Sequence, residues 1–504
     1  MNRILSFFAY SCLLSILIPN QASIGSVTID GKIYNQISMR PEYNFGKIGL
    51  GLDLYFYIDD EGGFYEKSWD FSDGKAFETL LDKIYYLSYN KRGDDFYFRL
   101  GGVSGFTLGY GIIVNNYSNM TEYPNIRRLG MDMQLNFGKG IKSQILISDF
   151  KRVPGLIAFR TEFPLFPRIN IGVFAATDLD MTKGLMDADD DGYPDYFDDS
   201  PNDENSYDDA IDAYNQNSDQ WNITCQSFDN DGIVGLSSDE LNLCLSSHSW
   251  DVNSFIPGQT LPEDNISSIG LDFSLKITRK IDIYMQFAQM IGDKIQDGAY
   301  EENLGWGAVP FGLSYSIGPQ KFKFTTKVES RINSRHFMYN FWDQAYDLNR
   351  AEIISDDLVL TKRHKLAQFG ELKGVYFSSS LAMLNLLGFD VSYQHMVGET
   401  WDSTISSFSD EQENKSFLAS LKLNTSRIPK LKIAEIYYQR NNDRDPFDFD
   451  NPSTNTIHGY NVGMELSNGV VLIYKGQTTY INDIVNQGEV KANFNLQVET
   501  QIAL

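Results

Sequence analysis

The sequence predicts an all-β fold: a large antiparallel transmembrane β-barrel of roughly 16–20 strands with one long acidic loop insertion. Three observations carry that expectation. Apolar and polar residues alternate with a period of two along most of the chain. Short turns alternate with long polar segments. One internal stretch, from Gly184 to Ser267, holds twenty acidic residues and no Lys or Arg. The remainder suits strands: the 504 residues include 34 Phe, 29 Tyr and 40 Gly against 15 Pro and 3 Cys, and aromatic and β-branched residues favour a pleated surface.

The chain opens on a segment that reads as a secretory leader, residues 1–22. Asn2-Arg3 gives a positive start and Ile4–Ile18 an apolar run, with cleavage expected between residues 22 and 25, after Ala22 or after Gly25. An N-terminal membrane anchor is the alternative, disfavoured because the run is short for a spanning helix. Export leaves Cys225 and Cys244, which in an oxidising compartment are most simply one disulfide. The expected organisation is then a first barrel portion over 26–183, the acidic insertion over 184–266, and a second barrel portion over 267–504.

The strand signals follow in order. In "VTIDGKIYNQISM" Val27, Ile29, Ile33, Ile37 and Met39 share one face, and in 48–58 Ile48, Leu50, Leu52, Leu54, Phe56 and Ile58 do the same. Phe71–Leu81 reads as a short helix or a loop, and strands near Ile84–Tyr110 are the least regular. Hairpins turn at Gly138-Lys139-Gly140, near Arg279, at Gly318-Pro319-Gln320 and at Ser467-Asn468-Gly469. The last run alternates to its end, with Val490, Ala492, Phe494, Leu496, Val498, Ile502 and Leu504 against Lys491, Asn493, Asn495, Gln497, Glu499 and Gln501. Long polar segments are expected at 115–127, 184–267, 289–306, 333–373, 398–415 and 440–457. "LGGVSGFTLGYG" reads as strand glycines.

This pattern resembles the outer-membrane β-barrels of Gram-negative bacteria over nearly the whole chain. The resemblance implies short turns on the periplasmic side, long loops outside, both termini in the periplasm, and outer-membrane lipid around the wall. Leu504 stands where that family usually ends in an aromatic residue.

In the insertion, Asp187, Asp189, Asp191, Gly192, Asp195 and Asp198 fall in the register D-x-D-x-D-G-x-x-D-x-x-D. Ca²⁺ takes six to eight oxygen ligands from a chain that curls around it, and glycine at the sixth position permits the curl. The Tyr193 carbonyl falls at the seventh position, and Asp199 and Asp203 could serve a neighbouring ion. The stretch resembles a thrombospondin type 3 repeat, which implies ligand roles for those acids; Ser200 replaces that family's cysteine. A second, weaker loop offers Asp229 and Asp231 before Gly232, with Asp239 or Glu240 closing it. The bland alternative is a solvated acidic linker.

The net charge of −25 excludes nucleic acid as a natural partner. His248, His336, His364, His395 and His458 show no metal-ligand spacing, and no G-x-S-x-G elbow or phosphate-cradling glycine loop appears. The chain therefore reads as a non-enzyme, although a hydrolase assembled at the rim would be invisible to motif reading. Two function classes stay open. One is a porin-like channel or transporter for small solutes, favoured because barrels of about 16 or more strands leave a lumen. The other is a surface interaction or scaffold protein presenting the calcium loop.

Overall fold

A computed structural model describes residues 21–503 except 30–31, 70, 72–75, 124–125, 152–154, 186–263, 298–299, 320–321, 356–357, 384–385, 403–406, 425–429, 468–469 and 483–489. Twenty-two strand segments form one antiparallel sheet. Apart from the segments of two split strands, each is paired to its neighbours along the chain, and the last, Val490–Ala503, pairs with the first, Gln21–Ile29, so the ladder returns on itself. Closure leaves no edge along which another chain could add.

Two of the strands are interrupted. Lys32–Arg40 and Glu42–Phe45 are split at Pro41, which has no N–H to give the ladder. Ile48–Leu52 and Leu54–Ile58 are split opposite it at Asp53. The pairs Met39↔Leu54 and Glu42↔Gly51 keep one register across both breaks, so 32–58 is a single long hairpin. Its turn needs Gly46, whose φ is +65°. Counting each split strand once gives a barrel of 20 strands, an even number, with both described ends of the chain at the same rim.

The rims differ as the sequence predicts. At the end carrying the termini, every connection is two to six residues long. The opposite end carries the long connections 59–83, 102–129, 179–265, 293–305 and 334–368. The short-turn rim is marked by outward Phe45, Phe137, Phe166 and Phe322, each beside a turn and exposed, as in the aromatic girdles of membrane barrels. Between the rims the outer face is apolar: Ile24, Ile37, Phe159, Val173, Leu271, Phe287, Val328, Val375, Ile436 and Leu496 are all exposed there. Water would make such a surface costly, whereas lipid does not. The inward neighbours of these residues include Ser23, Gln36, Arg160, Asp272, Glu329 and Glu499, all buried.

Several expectations shift. The wall begins at Gln21, ahead of the expected boundary at 26, and its first strand contains both expected cleavage positions. The helix is Ala76–Asp82. The segment 398–415 is mostly wall: the strands Leu387–Asp402 and Ser407–Asn424 run through it and are joined at 403–406. The alternation in "GETWDSTISSFSDEQENK" is too polar to announce strands, but their backbone groups pair across the ladder. Finally, "LGGVSGFTLGYG" leaves the wall at Gly101. Gly105, Gly109 and Gly111 have positive φ, so they build turns and not a strand.

Candidate functional site: the lumen and its two inserted segments

Two of the long connections, 102–129 and 334–368, fold back into the barrel. The first forms a finger. Phe106 and Tyr117 exchange backbone hydrogen bonds at 3.0 and 2.8 Å, and Leu108 N–H donates to Val114 O at 3.1 Å. The tip is Gly109–Tyr110. Gly109 has φ +59°, and a methyl group there would meet the Arg160 side chain, so only glycine brings the tip this close to the wall.

The second segment lies along the finger. Asn340 N–H donates to Ile112 O, Trp342 N–H to Ile113 O, and Asn115 N–H to Trp342 O, at 3.0–3.1 Å. Val103, Phe106, Leu108, Ile112, Ile113, Val114 and Tyr117 pack with Phe337, Phe341, Trp342 and Tyr346 in one buried cluster. Inward wall residues complete that cluster: Leu146, Ala158, Phe174, Ala288, Met290 and Val309. Trp342, Val114 and Tyr117 are 0% exposed. This is an apolar core placed inside a barrel whose lining is otherwise polar.

Polar contacts tie the pair to opposite walls. At the tip, Gly109 N–H donates to Gln144 Oε1 at 3.1 Å, Lys327 Nζ donates to Tyr110 O at 3.3 Å, and Tyr110 stacks on Tyr284 with centroids 3.9 Å apart. Across the lumen, Asp343 accepts from Gln439 and Asn441 of the strand Leu431–Asp443, at 3.1 and 2.7 Å. Arg350 Nε and Nη2 donate to the two Asp178 oxygens at 2.7 and 2.9 Å, and Nη2 also reaches Asp180 O at 2.6 Å. Tyr346 adds its hydroxyl to Asp178 at 2.5 Å. Tyr117 donates to Asp347 at 2.9 Å, joining the two segments.

The second segment also grips the described ends of the acidic insertion. Met181 N–H donates to Asp264 O at 2.6 Å, which closes the neck. Thr361 Oγ1 and Arg363 Nε both bond the Asp264 carboxylate. His364 lies beside Thr361 and Arg363, and burial holds its pKa below the ordinary imidazole value. Burial also lowers the pKa of Lys362, whose ammonium donates to Phe341 O at 2.6 Å. It raises the Tyr117 and Tyr346 hydroxyls well above the ordinary phenol value.

Charges on the inner wall are paired. Arg160 forks onto both Asp272 oxygens at 2.7 Å and reaches Glu162 at 3.0 Å. Glu329 accepts from Arg331 at 2.6 Å and from the Tyr284 hydroxyl at 2.6 Å. Arg331 lies between the rings of Tyr376 and Tyr339, 3.9 and 4.6 Å from their centroids. Asp53 gathers Ser38, Arg40 and Tyr123 at 2.9, 3.1 and 2.5 Å, and Arg40 continues to Glu499 at 3.6 Å across the seam between first and last strands. Such pairing is the condition for burying charge at all.

The wall opposite the cluster keeps a wetter lining. Register places Tyr437, Asn461, Lys475, Gln477 and Asn493 on the inner face, where they stay half-buried or exposed. The Tyr437 hydroxyl donates to Gln477 Oε1 at 3.3 Å.

The expected calcium ligands Asp187, Asp189, Asp191, Tyr193, Asp195, Asp198, Asp199, Asp229, Asp231, Asp239 and Glu240 lie outside the described residues, as do Cys225 and Cys244. Among the described residues no three His, Cys, Asp or Glu side chains come together as a metal would need. His395 is on a wall strand as expected, with Nε2 3.3 Å from Glu413. The lumen residues were missed by motif reading. Their signal was weak but present: charges at inward register positions, such as Asp272 in "IGLDFSLK" and Glu329 and Arg331 in "KVESRIN".

No protein-family model and no curated protein matches the sequence. Solved structures that resemble the fold are outer-membrane proteins. Wzi, involved in group 1 capsule assembly in Escherichia coli, aligns over 98% of this chain and 86% of its own at 10% identity, TM-score 0.32. Pseudomonas aeruginosa OccK11 (OpdR) aligns over 96% and 94% at 9% identity, TM-score 0.31. The siderophore receptor PirA from Acinetobacter baumannii aligns over 96% and 74% at 8% identity, TM-score 0.31. These scores are low, and the strand pairing of this chain is what establishes its barrel.

Proposed function

We propose that this chain is an outer-membrane β-barrel that admits small polar solutes through a lumen narrowed by its own segments 102–129 and 334–368. The observation that carries this reading is the division of the lumen. One side is sealed by an apolar cluster, and the other keeps Tyr437, Asn461, Gln477 and Asn493 inward and half-buried or exposed. A barrel meant only as a rigid support has no need of the second surface. The long loops, the acidic insertion among them, would face the cell exterior, and the short turns the periplasm.

We extend the reading to the insertion: Asp187, Asp189, Asp191, Asp195 and Asp198 bind one Ca²⁺, and the ion folds the loop by neutralising its carboxylates. Calcium titration of the purified protein by calorimetry, with Asp189→Asn/Asp191→Asn as the comparison, tests it. Loss of the heat signal in the variant is the expected result, and identical titrations contradict the assignment.

A second reading has support in one fact. The cluster around Trp342 is wholly buried, which suits a closed lumen and a barrel that presents its loops to a partner. Planar-bilayer recording separates the two: discrete conductance steps support the channel, and their absence at all voltages supports the closed barrel.

A further inference from the structure

Beneath the tip of the finger, on the short-turn side, the lumen holds a cavity of about 300 Å³. That is at the lower end of the range for small-molecule sites, roughly 300–1,000 Å³. Its roof is Gly109–Tyr110, and its floor includes the turn residues Gly93 and Asp94. Its wall is built from strands Gly130–Asn136, Lys142–Ile147 and Ile157–Phe166, which contribute Gln134, Gln144 and Arg160 among others.

The chemistry of the lining is specific. Arg160 is buried, and its Nε and Nη2 donate to two carboxylates, Asp272 and Glu162, which offset its charge. It therefore fixes the cavity's shape and has little charge left for an anion. Lys142 is the other cation of the lining, which also holds the carboxylates of Asp94 and Glu162. What remains is amide and phenol. Gln144 is held by the finger at both ends of its amide, Oε1 accepting from Gly109 N–H and Nε2 giving one of its two hydrogens to Thr107 O. Gln134 makes no side-chain hydrogen bond among the described residues, and it faces the cavity with both a donor and an acceptor. Tyr110 supplies an aromatic surface, held flat by Tyr284.

Amides that both donate and accept, an aromatic ring and balanced charge suit one class of solute. They can match the alternating hydroxyls and C–H faces of a neutral polyol, and the lining's own two cations and two carboxylates leave no net charge to hold an ion. We propose that this cavity is a binding site for a neutral saccharide of one or two sugar units. Gln134 and Gln144 bond its hydroxyls, and Tyr110 covers one face. The proposal rests on the solute-admitting reading for its access route only; binding itself needs no through-conduction.

The test is calorimetric titration of the detergent-solubilised full chain with maltose and with glucose, beside L-glutamine as a zwitterion and gluconate as an anion. The expected result is a dissociation constant of about 1 mM for at least one sugar, weakened about tenfold in Gln134→Ala. That loss corresponds to about 1.4 kcal/mol. The variant removes no contact that holds the barrel, and an unchanged thermal midpoint confirms that it is folded. No sugar binding, tighter binding of gluconate or L-glutamine, or an unaltered constant in Gln134→Ala each overturns the proposal. Bilayer recording on the same preparation keeps the two readings apart. Conductance without sugar binding defeats the site alone. Sugar binding without conductance defeats the channel alone and leaves a sugar receptor.

Discussion

The two sides of the lumen are built from the same kind of strand but differ in what their inner face meets. In Ile169–Asp178 and Ile281–Gly292 both faces are largely apolar: Val173 and Phe287 point out, while Phe174, Ala176, Ala288 and Met290 point in. Their inner face is covered by the finger and its companion segment. In Val490–Ala503 the sequence alternates without a break from Val490 to Glu499, with Phe494 and Leu496 out and Asn493 and Glu499 in. There the inner face meets water or paired charge. The difference teaches that in a barrel the outer face is apolar everywhere, so only the inner face reports what fills the lumen. Loss of alternation on a wall strand is a sign of an internal plug.

The most damaging way to break this contrast is to remove the finger. Replacing residues 104–118 by a short Gly-Ser linker should raise single-channel conductance several-fold and leave the wall intact, read by bilayer recording and by heat-dependent gel mobility. Next in size is Trp342→Ala. Deleting a fully buried indole costs about 3–5 kcal/mol, and the loss should appear as a lower urea midpoint together with noisier current. Comparable to it, Arg350→Gln leaves Asp178 buried without its cation, a change worth about 3–5 kcal/mol. Limited proteolysis should then cut within 334–368, and Arg350→Gln paired with Asp178→Asn should recover part of the protection.

A pH shift sharpens the same comparison with a smaller effect. The half-buried His364 ring has its pKa held below the unfolded value of about 6.5. The folded state therefore resists a proton that the unfolded segment accepts, so this group's stabilisation is complete above about 6.5 and is lost as pH falls. Arg363 beside it opposes the charge and Asp264 favours it. Lowering pH from neutral to about 5 should speed proteolysis of 334–368, and His364→Gln should flatten that dependence. The smallest effect belongs to the rim. Lys294 and Glu301 are half exposed at 2.7 Å, and such a pair is worth about 0–1 kcal/mol. Lys294→Ala should leave both conductance and midpoint unmoved.

Much of the wall was legible in the sequence because period-two alternation and tight turns are local. Gly138-Lys139-Gly140 turns where expected, and the strands to each side pair in register. The inserted segments were not legible as such. Residues 115–127 and 334–368 are rich in Asn, Asp, Arg and Tyr, the composition of a surface loop. Several of their polar groups nevertheless find partners inside, Asp178, Gln344 and Arg128 among them. Partners 168 and 230 residues away decide that fate, as with Tyr346 and Asp178 or Tyr117 and Asp347. No window of sequence contains both. "GVSGFTLGYGIIV" carried a usable hint, since a loop so apolar and so rich in glycine is poorly suited to water.

The central claim is that the lumen is narrowed by a finger and a companion strap held to opposite walls. Single-channel conductance of the intact chain and of the 104–118 deletion, recorded in the same bilayer and salt, tests it most directly. The intact chain should give small, discrete steps and the deletion large, stable ones. Equal conductance in the two would contradict it.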